Sequence, residues 1–190
     1  MVLAVPVSFA AWELTWSDEF DAPVLNTSTW SIRNNESHCC GPKWSKDGGE
    51  LELYLRDEVF LDGGNLVLRT KRNKVVGPGG KVFNFSSGWI DTKNKFSQKY
   101  GRFSANCSIP ARNATGVWPA FWLMPQNKSQ CWPTGGEIDI FEFNLDWAQD
   151  KAWGSYHWAL PGRCGKDQAP IPGKGFKPEG SRDNWQEVSG

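Results

Sequence analysis

A chain of 190 residues, 39% of them hydrophobic, is long enough to bury one good core and short enough that a single globular domain is the default. Its 21 basic and 21 acidic residues cancel and the positive charges are scattered, which removes the electrostatic case for nucleic acid or an anionic membrane and favours a neutral partner. The oddity is 12 tryptophans against three tyrosines: an indole is a large apolar core filler, and its wide face is also a platform for the C–H groups of sugar rings.

In chain order, residues 1–11 are uncharged and mostly apolar, and Ser8-Phe9-Ala10 puts small residues where a signal peptidase reads. They are expected to be a signal peptide cut near Ala11, incomplete at its basic end because the first Lys or Arg is Arg33; a buried first strand is the other reading. No later stretch reaches the ~20 apolar residues of a membrane span. Leu51-Glu52-Leu53-Tyr54-Leu55 alternates in period two, Asp62-Gly63-Gly64 is a turn, and Asn65 to Thr70 alternates again, which predicts a hairpin. Trp89 to Lys93, Tyr100 to Ser108, Ala120 to Met124 and Gly136 to Phe143 continue the pattern, parted by Gly-, Pro-, Asn- and Ser-rich segments at 77–80, 110–116 and 125–135. Pro161 to Gly180 reads as a long loop, and Asn184 to Val188 turns strand-like again. No repeat and no sustained helical period interrupts these short strands. They predict an all-β sandwich or jelly roll of two antiparallel sheets over 12–190, with one concave face able to take an extended ligand.

Six Asn-x-Ser/Thr triplets begin at Asn26, Asn35, Asn84, Asn106, Asn113 and Asn127, and together with the leader-like start they favour a secreted glycoprotein. Cys39, Cys40, Cys107, Cys131 and Cys164 show no metal or redox spacing and suit disulfides in an oxidising compartment, although five is an odd number and adjacent cysteines can hardly bond each other.

Chemistry concentrates in Glu137-Ile138-Asp139-Ile140-Phe141-Glu142. In a flat strand Glu137 and Asp139 share a face and Glu142 takes the other. A one-residue bulge near Ile140 or Phe141 would return Glu142 to the face of the other two. Carboxylates so close cannot all ionise cheaply, and the resulting split between one charged and one protonated acid is what glycoside hydrolysis uses. A solvated strand face and a cation site of clustered acids are the competing readings.

Gly116-Val117-Trp118-Pro119-Ala120-Phe121-Trp122-Leu123-Met124-Pro125, followed by Trp132-Pro133-x-Gly135-Gly136 and the acidic run, closely resembles glycoside hydrolase family 16. The likeness extends to Trp16-x-Asp18-Glu19-Phe20-Asp21, Gly49-Glu50-Leu51-Glu52-x-Tyr54, Gly64 to Leu68, Ser87-Gly88-x-Ile90-x-Thr92-Lys93 and Tyr100-Gly101-Arg102-Phe103, in the family's order.

The resemblance implies a concanavalin A-like jelly roll and a retaining double displacement, with Glu137 as nucleophile, Glu142 as acid and then base, and Asp139 assisting between them. The longer, bulged acidic run looks like the laminarinase branch, acting on β-1,3- or mixed β-1,3/1,4-glucan, although agarases and carrageenases also carry it. Trp118, Trp122 and Trp132 would contact substrate, and His157 would hydrogen-bond near the acid/base. The chemistry needs no cofactor; Glu19 stands where the family places a ligand of a structural calcium ion. A polysaccharide is the implied partner and a monomer the expected state. Trp89 departs from the family, which often has Arg there. The family's later strands do not appear, so the fold is expected to be incomplete at its C-terminus. A transglycosylase, a galactan-active hydrolase and a non-catalytic glucan-recognition protein are the alternatives.

Overall fold

The computed structural model describes residues 12–36, 50–109, 116–127, 132–143 and 152–160. The leader-like segment 1–11, the loop 161–180, the segment 184–188, Asn113 and the cysteines at 39, 40, 131 and 164 lie outside the described residues. Cys107, the described cysteine, is exposed and carries no disulfide. Among the described residues no helix is long and apolar enough to cross a membrane. The chain divides into two compact units, Met1–Asp91 and Thr92–Gly190.

Among the described residues the first unit holds seven strands: β1 (Ser31–Ile32), β2 (Glu52–Tyr54), β3 (Val59–Asp62), β4 (Asn65–Leu68), β5 (Lys71–Val76), β6 (Val82–Ser87) and β7 (Ile90–Asp91). β1 pairs with β7, β3 with β4, and β6 lies between β2 and β5. The predicted hairpin exists, but its first arm is β3 rather than Leu51–Leu55. Gly63 and Gly64 both take positive φ, 55° and 76°, as a two-residue loop matching the sheet twist requires. Leu51–Leu55 cannot reach that turn because a 3₁₀ turn, Arg56–Glu58, intervenes. The turn is pinned from inside: Glu58 is buried, accepting from Arg69 Nε at 2.6 Å and Ser86 Oγ at 2.7 Å. β2 instead pairs in parallel with β6, a departure from the all-antiparallel expectation. Gly88 lies so close to this turn that a Cβ there would strike the Glu58 carbonyl.

β5 escapes sequence reading because Lys71, Arg72 and Lys74 hide its pattern, yet cations on an edge strand are the usual guard against stray pairing. Among its described residues Leu53, Tyr54, Val59 and Phe83 are the buried apolar ones. Part of the tryptophan excess is structural: Trp30 stacks edge-on with Trp16 at 5.5 Å and donates to Asp18 Oδ2 at 2.7 Å, and Trp89 meets Tyr54 edge-on at 5.0 Å.

The second unit holds β8 (Ala120–Leu123), β9 (Glu137–Glu142) and β10 (Trp153–His157), with β9 between its antiparallel neighbours. Tyr100 to Ser108, expected as a strand, forms none; it is largely exposed and finds no ladder partner among the described residues. Phe143 and Ala152 are buried against Ile109, Val117 and Phe141.

Candidate active site

β8 and β10 act as rulers for β9. Asp139 stands opposite Trp122 on one side and Ser155 on the other, while Glu142 stands opposite Ala120 and Trp153. Each neighbour advances two residues where β9 advances three, so β9 carries one extra residue between Asp139 and Glu142. Directly paired residues of an antiparallel ladder share a face, and Ala120 and Trp122, like Trp153, Ser155 and His157, keep strict period two. Glu137, Asp139 and Glu142 therefore lie on one face, with His157 opposite Glu137. Ile138, opposite Leu123 and Tyr156, points to the other. Gly136 enters the strand at φ 84°, closing a turn by donating its N–H to the Pro133 carbonyl at 2.8 Å, a conformation a side chain would strain.

Asp139 is the buried centre, 4% exposed, and the glutamates beside it are half-buried. His157 Nε2 lies 3.1 Å from Asp139 Oδ2, close enough for an ion pair though not aligned as a hydrogen bond. The Trp132 indole N–H donates to Glu137 Oε2, and that of Trp118 donates to Glu142 Oε1 at 3.0 Å. Trp132 is also tilted against the His157 ring, with centroids 5.7 Å apart.

These contacts set the proton affinities. Burial, then the charge of Asp139, pushes the Glu137 carboxyl up to about 7, against the Trp132 N–H and His157. The same two causes raise Glu142, against Trp118 and His157. Contact with Asp139 raises His157, with burial opposing. Near neutral pH contact with Asp139 favours the charged form of His157, and two carboxyls raised in this way, Glu137 to about 7, resist ionising together.

The structure thus brings six of the sequence-expected site residues together: Glu137, Asp139, Glu142, Trp118, Trp132 and His157. Trp122 stands across the ladder from Asp139, half-buried. Glu19 is exposed and belongs to the first unit. Among the described residues, the three acid, His or Cys side chains able to share a cation are Glu137, Asp139 and His157, with ligand atoms within 4.8 Å of one another; Glu19 is in no such group. What sequence reasoning missed is that Trp118 and Trp132 present their N–H edges to the glutamates. A tryptophan's position in the chain does not say whether its face or its edge is used.

A family profile described as XgeA-like, catalytic glycoside hydrolase family 16 domain, matches residues 67–154. The clotting factor G alpha subunit of Tachypleus tridentatus is 32% identical over 151 residues, covering 79% of this chain and 20% of that protein. Glucan endo-1,3-beta-glucosidase A1 of Niallia circulans is 32% identical over 141 residues, covering 71% and 20%. The solved laminarinase catalytic domain of Thermotoga maritima superimposes with a TM-score of 0.65 at 32% identity, covering 79% of this chain and 58% of that one. The chain spans about a fifth of the length of these two curated relatives. The acidic strand falls inside the matched residues and the architecture is the all-β jelly-roll class of that laminarinase, so residues 67–154 belong to the catalytic domain of glycoside hydrolase family 16.

Proposed function

We propose that the protein is a secreted, endo-acting hydrolase of β-1,3- or mixed β-1,3/1,4-glucan that retains anomeric configuration. One observation carries the reading: the extra residue in β9 gathers Glu137, Asp139 and Glu142 on one face, where burial and the charge of Asp139 raise both glutamates. In the first step Glu137 attacks the anomeric carbon while Glu142 gives its proton to the departing glycosidic oxygen, leaving a glycosyl ester on Glu137. Glu142, now ionised, takes a proton from water, which attacks the same carbon and frees Glu137. Asp139, paired with His157, sits beside both glutamates; its charge raises the proton affinity of each, and His157 moderates that rise.

Glucan as substrate is supported by the printed functions of the Niallia glucosidase and the Thermotoga laminarinase. Trp122, on the acids' face, is suited to stacking a sugar. Secretion is supported by the leader-like start and by Asn26, Asn35, Asn84, Asn106 and Asn127, each exposed. Because Glu19 belongs to no group of three acid, His or Cys side chains among the described residues, a structural calcium ion there would also draw on backbone carbonyls, amide oxygens or water.

The test is release of reducing ends from laminarin, lichenan, agarose and carrageenan, with the first-formed anomer followed by NMR. Cleavage of laminarin or lichenan to β-configured products is expected. Activity confined to the galactans, or a product of inverted configuration, would overturn the reading.

A further inference from the structure

We propose that Trp118 and Trp132 are positioning residues: each fixes one glutamate through its indole N–H, so their part in the reaction is to hold and tune a carboxylate in addition to offering a face to sugar. The assignment rests on the roles given to Glu137 and Glu142 above, and its own support is geometric. Trp132 Nε1 donates to Glu137 Oε2, and Trp118 Nε1 donates to Glu142 Oε1 at 3.0 Å. Two different indoles, fourteen residues apart, each donate to a different glutamate of the same strand. A stacking platform requires no such orientation, because stacking uses the ring face while the N–H lies in the ring plane.

The two donors differ in setting. Trp132 is half-buried beside buried Pro133 and tilted against His157, so its orientation is constrained. Trp118 is 51% exposed, and water competes for its bond. An N–H bond to a carboxylate is roughly twice as strong as one to a neutral acid. The drier donor therefore favours ionised Glu137, the state needed for attack. The wetter donor strengthens its hold on Glu142 as that acid gives up its proton, an interaction that grows toward the transition state. Burial raises both carboxyls, and each indole opposes the rise of its own glutamate.

Trp→Phe keeps a ring face and removes the N–H. For Trp132→Phe, kcat is expected to fall roughly tenfold, the equivalent of ~1.4 kcal/mol, with KM within about twofold and the acid limb of the pH profile displaced upward by about half a pH unit. For Trp118→Phe a fall of roughly threefold and an upward displacement of the alkaline limb are expected. A rise in KM alone, with the pH limbs unmoved, would show that the faces matter and the edges do not.

An independent readout needs no substrate. In protein labelled with ¹⁵N-tryptophan, the indole N–H resonance of Trp132 should titrate in the parent and lose that titration in Glu137→Gln; that of Trp118 should do the same in Glu142→Gln. Resonances insensitive to pH would overturn the proposal. Titrating indoles in a protein that cleaves none of the four polysaccharides would uphold the donor contacts while sinking the glucanase reading.

Discussion

Replacing Glu137 with Gln removes the proposed nucleophile, and it should also make the protein more stable at neutral pH. The carboxyl is raised from its ordinary 4.5 to about 7 in the folded chain, chiefly by burial and then by Asp139. Between those values the folded state holds a proton that the unfolded chain has released, so raising the pH through this window erodes stability. At 1.36 kcal/mol per pKa unit the penalty has a ceiling of ~3.4 kcal/mol, and because the side chain is only half-buried, solvent screening should reduce it to ~1–2 kcal/mol. Gln cannot ionise, and it keeps an acceptor for the Trp132 N–H. The variant should match the parent below about pH 4, gain through the window, and hold its full advantage above about pH 7.5. Urea unfolding followed by tryptophan fluorescence over that range reads the difference directly. A variant less stable than the parent at pH 8, or one whose advantage does not change with pH, would refute the account of strain at this site.

Deleting Ile140 removes the extra residue and leaves Glu137, Asp139 and Glu142 in plain alternation opposite His157, Ser155 and Trp153, so a measurable fraction of the activity should survive. Deleting Ile138 splits Glu137 from the face of Asp139 and should cost at least ~10³-fold; equal losses in the two deletions would discredit the ladder argument. Arg69→Ala leaves buried Glu58 with Ser86 and a distant Lys71, and should destabilise by about 2 kcal/mol, less than a fully buried pair because the Arg69 side chain is 41% exposed. Burial pushes the Glu58 carboxyl up, but the Ser86 and Arg69 bonds and the nearby charges outweigh it and hold the carboxyl below its ordinary range. That contribution is lost as pH falls, so the Arg69→Ala deficit should shrink in acid, opposite in sign to the Glu137→Gln effect; urea titrations at the two ends of the range separate them.

The legible parts of the fold were those whose local chemistry admits one outcome. Gly63-Gly64 could only be a tight turn, and the odd count from Glu137 to Glu142 required an extra residue if three acids were to share a face. The errors have a common cause. Leu51–Leu55 has the pattern of a hairpin arm, and what denies it that role is the buried Glu58 network, formed with residues 11 and 28 positions away. β5 was hidden because an edge strand tolerates Lys and Arg, while Tyr100–Ser108 alternates but has no described partner. Alternation says that a segment can be a strand, and only a neighbour makes it one. At the site the same limit applies: the acids were visible as a run, whereas the edge-on use of Trp118 and Trp132 depends on where β8 and the turn before β9 place each ring.

The cluster also has a charge count that fits the proposed cycle. With Asp139 and His157 paired, one proton on the two glutamates leaves a net charge of minus one for the four groups. In the glycosyl ester Glu137 has spent its charge and Glu142 has given up its proton, so the total is again minus one. Half-buried carboxylates would otherwise oppose any step that adds charge, since desolvation already raises both. Moving one proton and one covalent bond in opposite directions avoids that cost in both half-reactions. His157 is what keeps the count: as a neutral imidazole it would leave Asp139 uncompensated beside both glutamates and push their proton affinities further up. The contact with Asp139 that raises His157 therefore serves the proposed division between attacking carboxylate and donating acid.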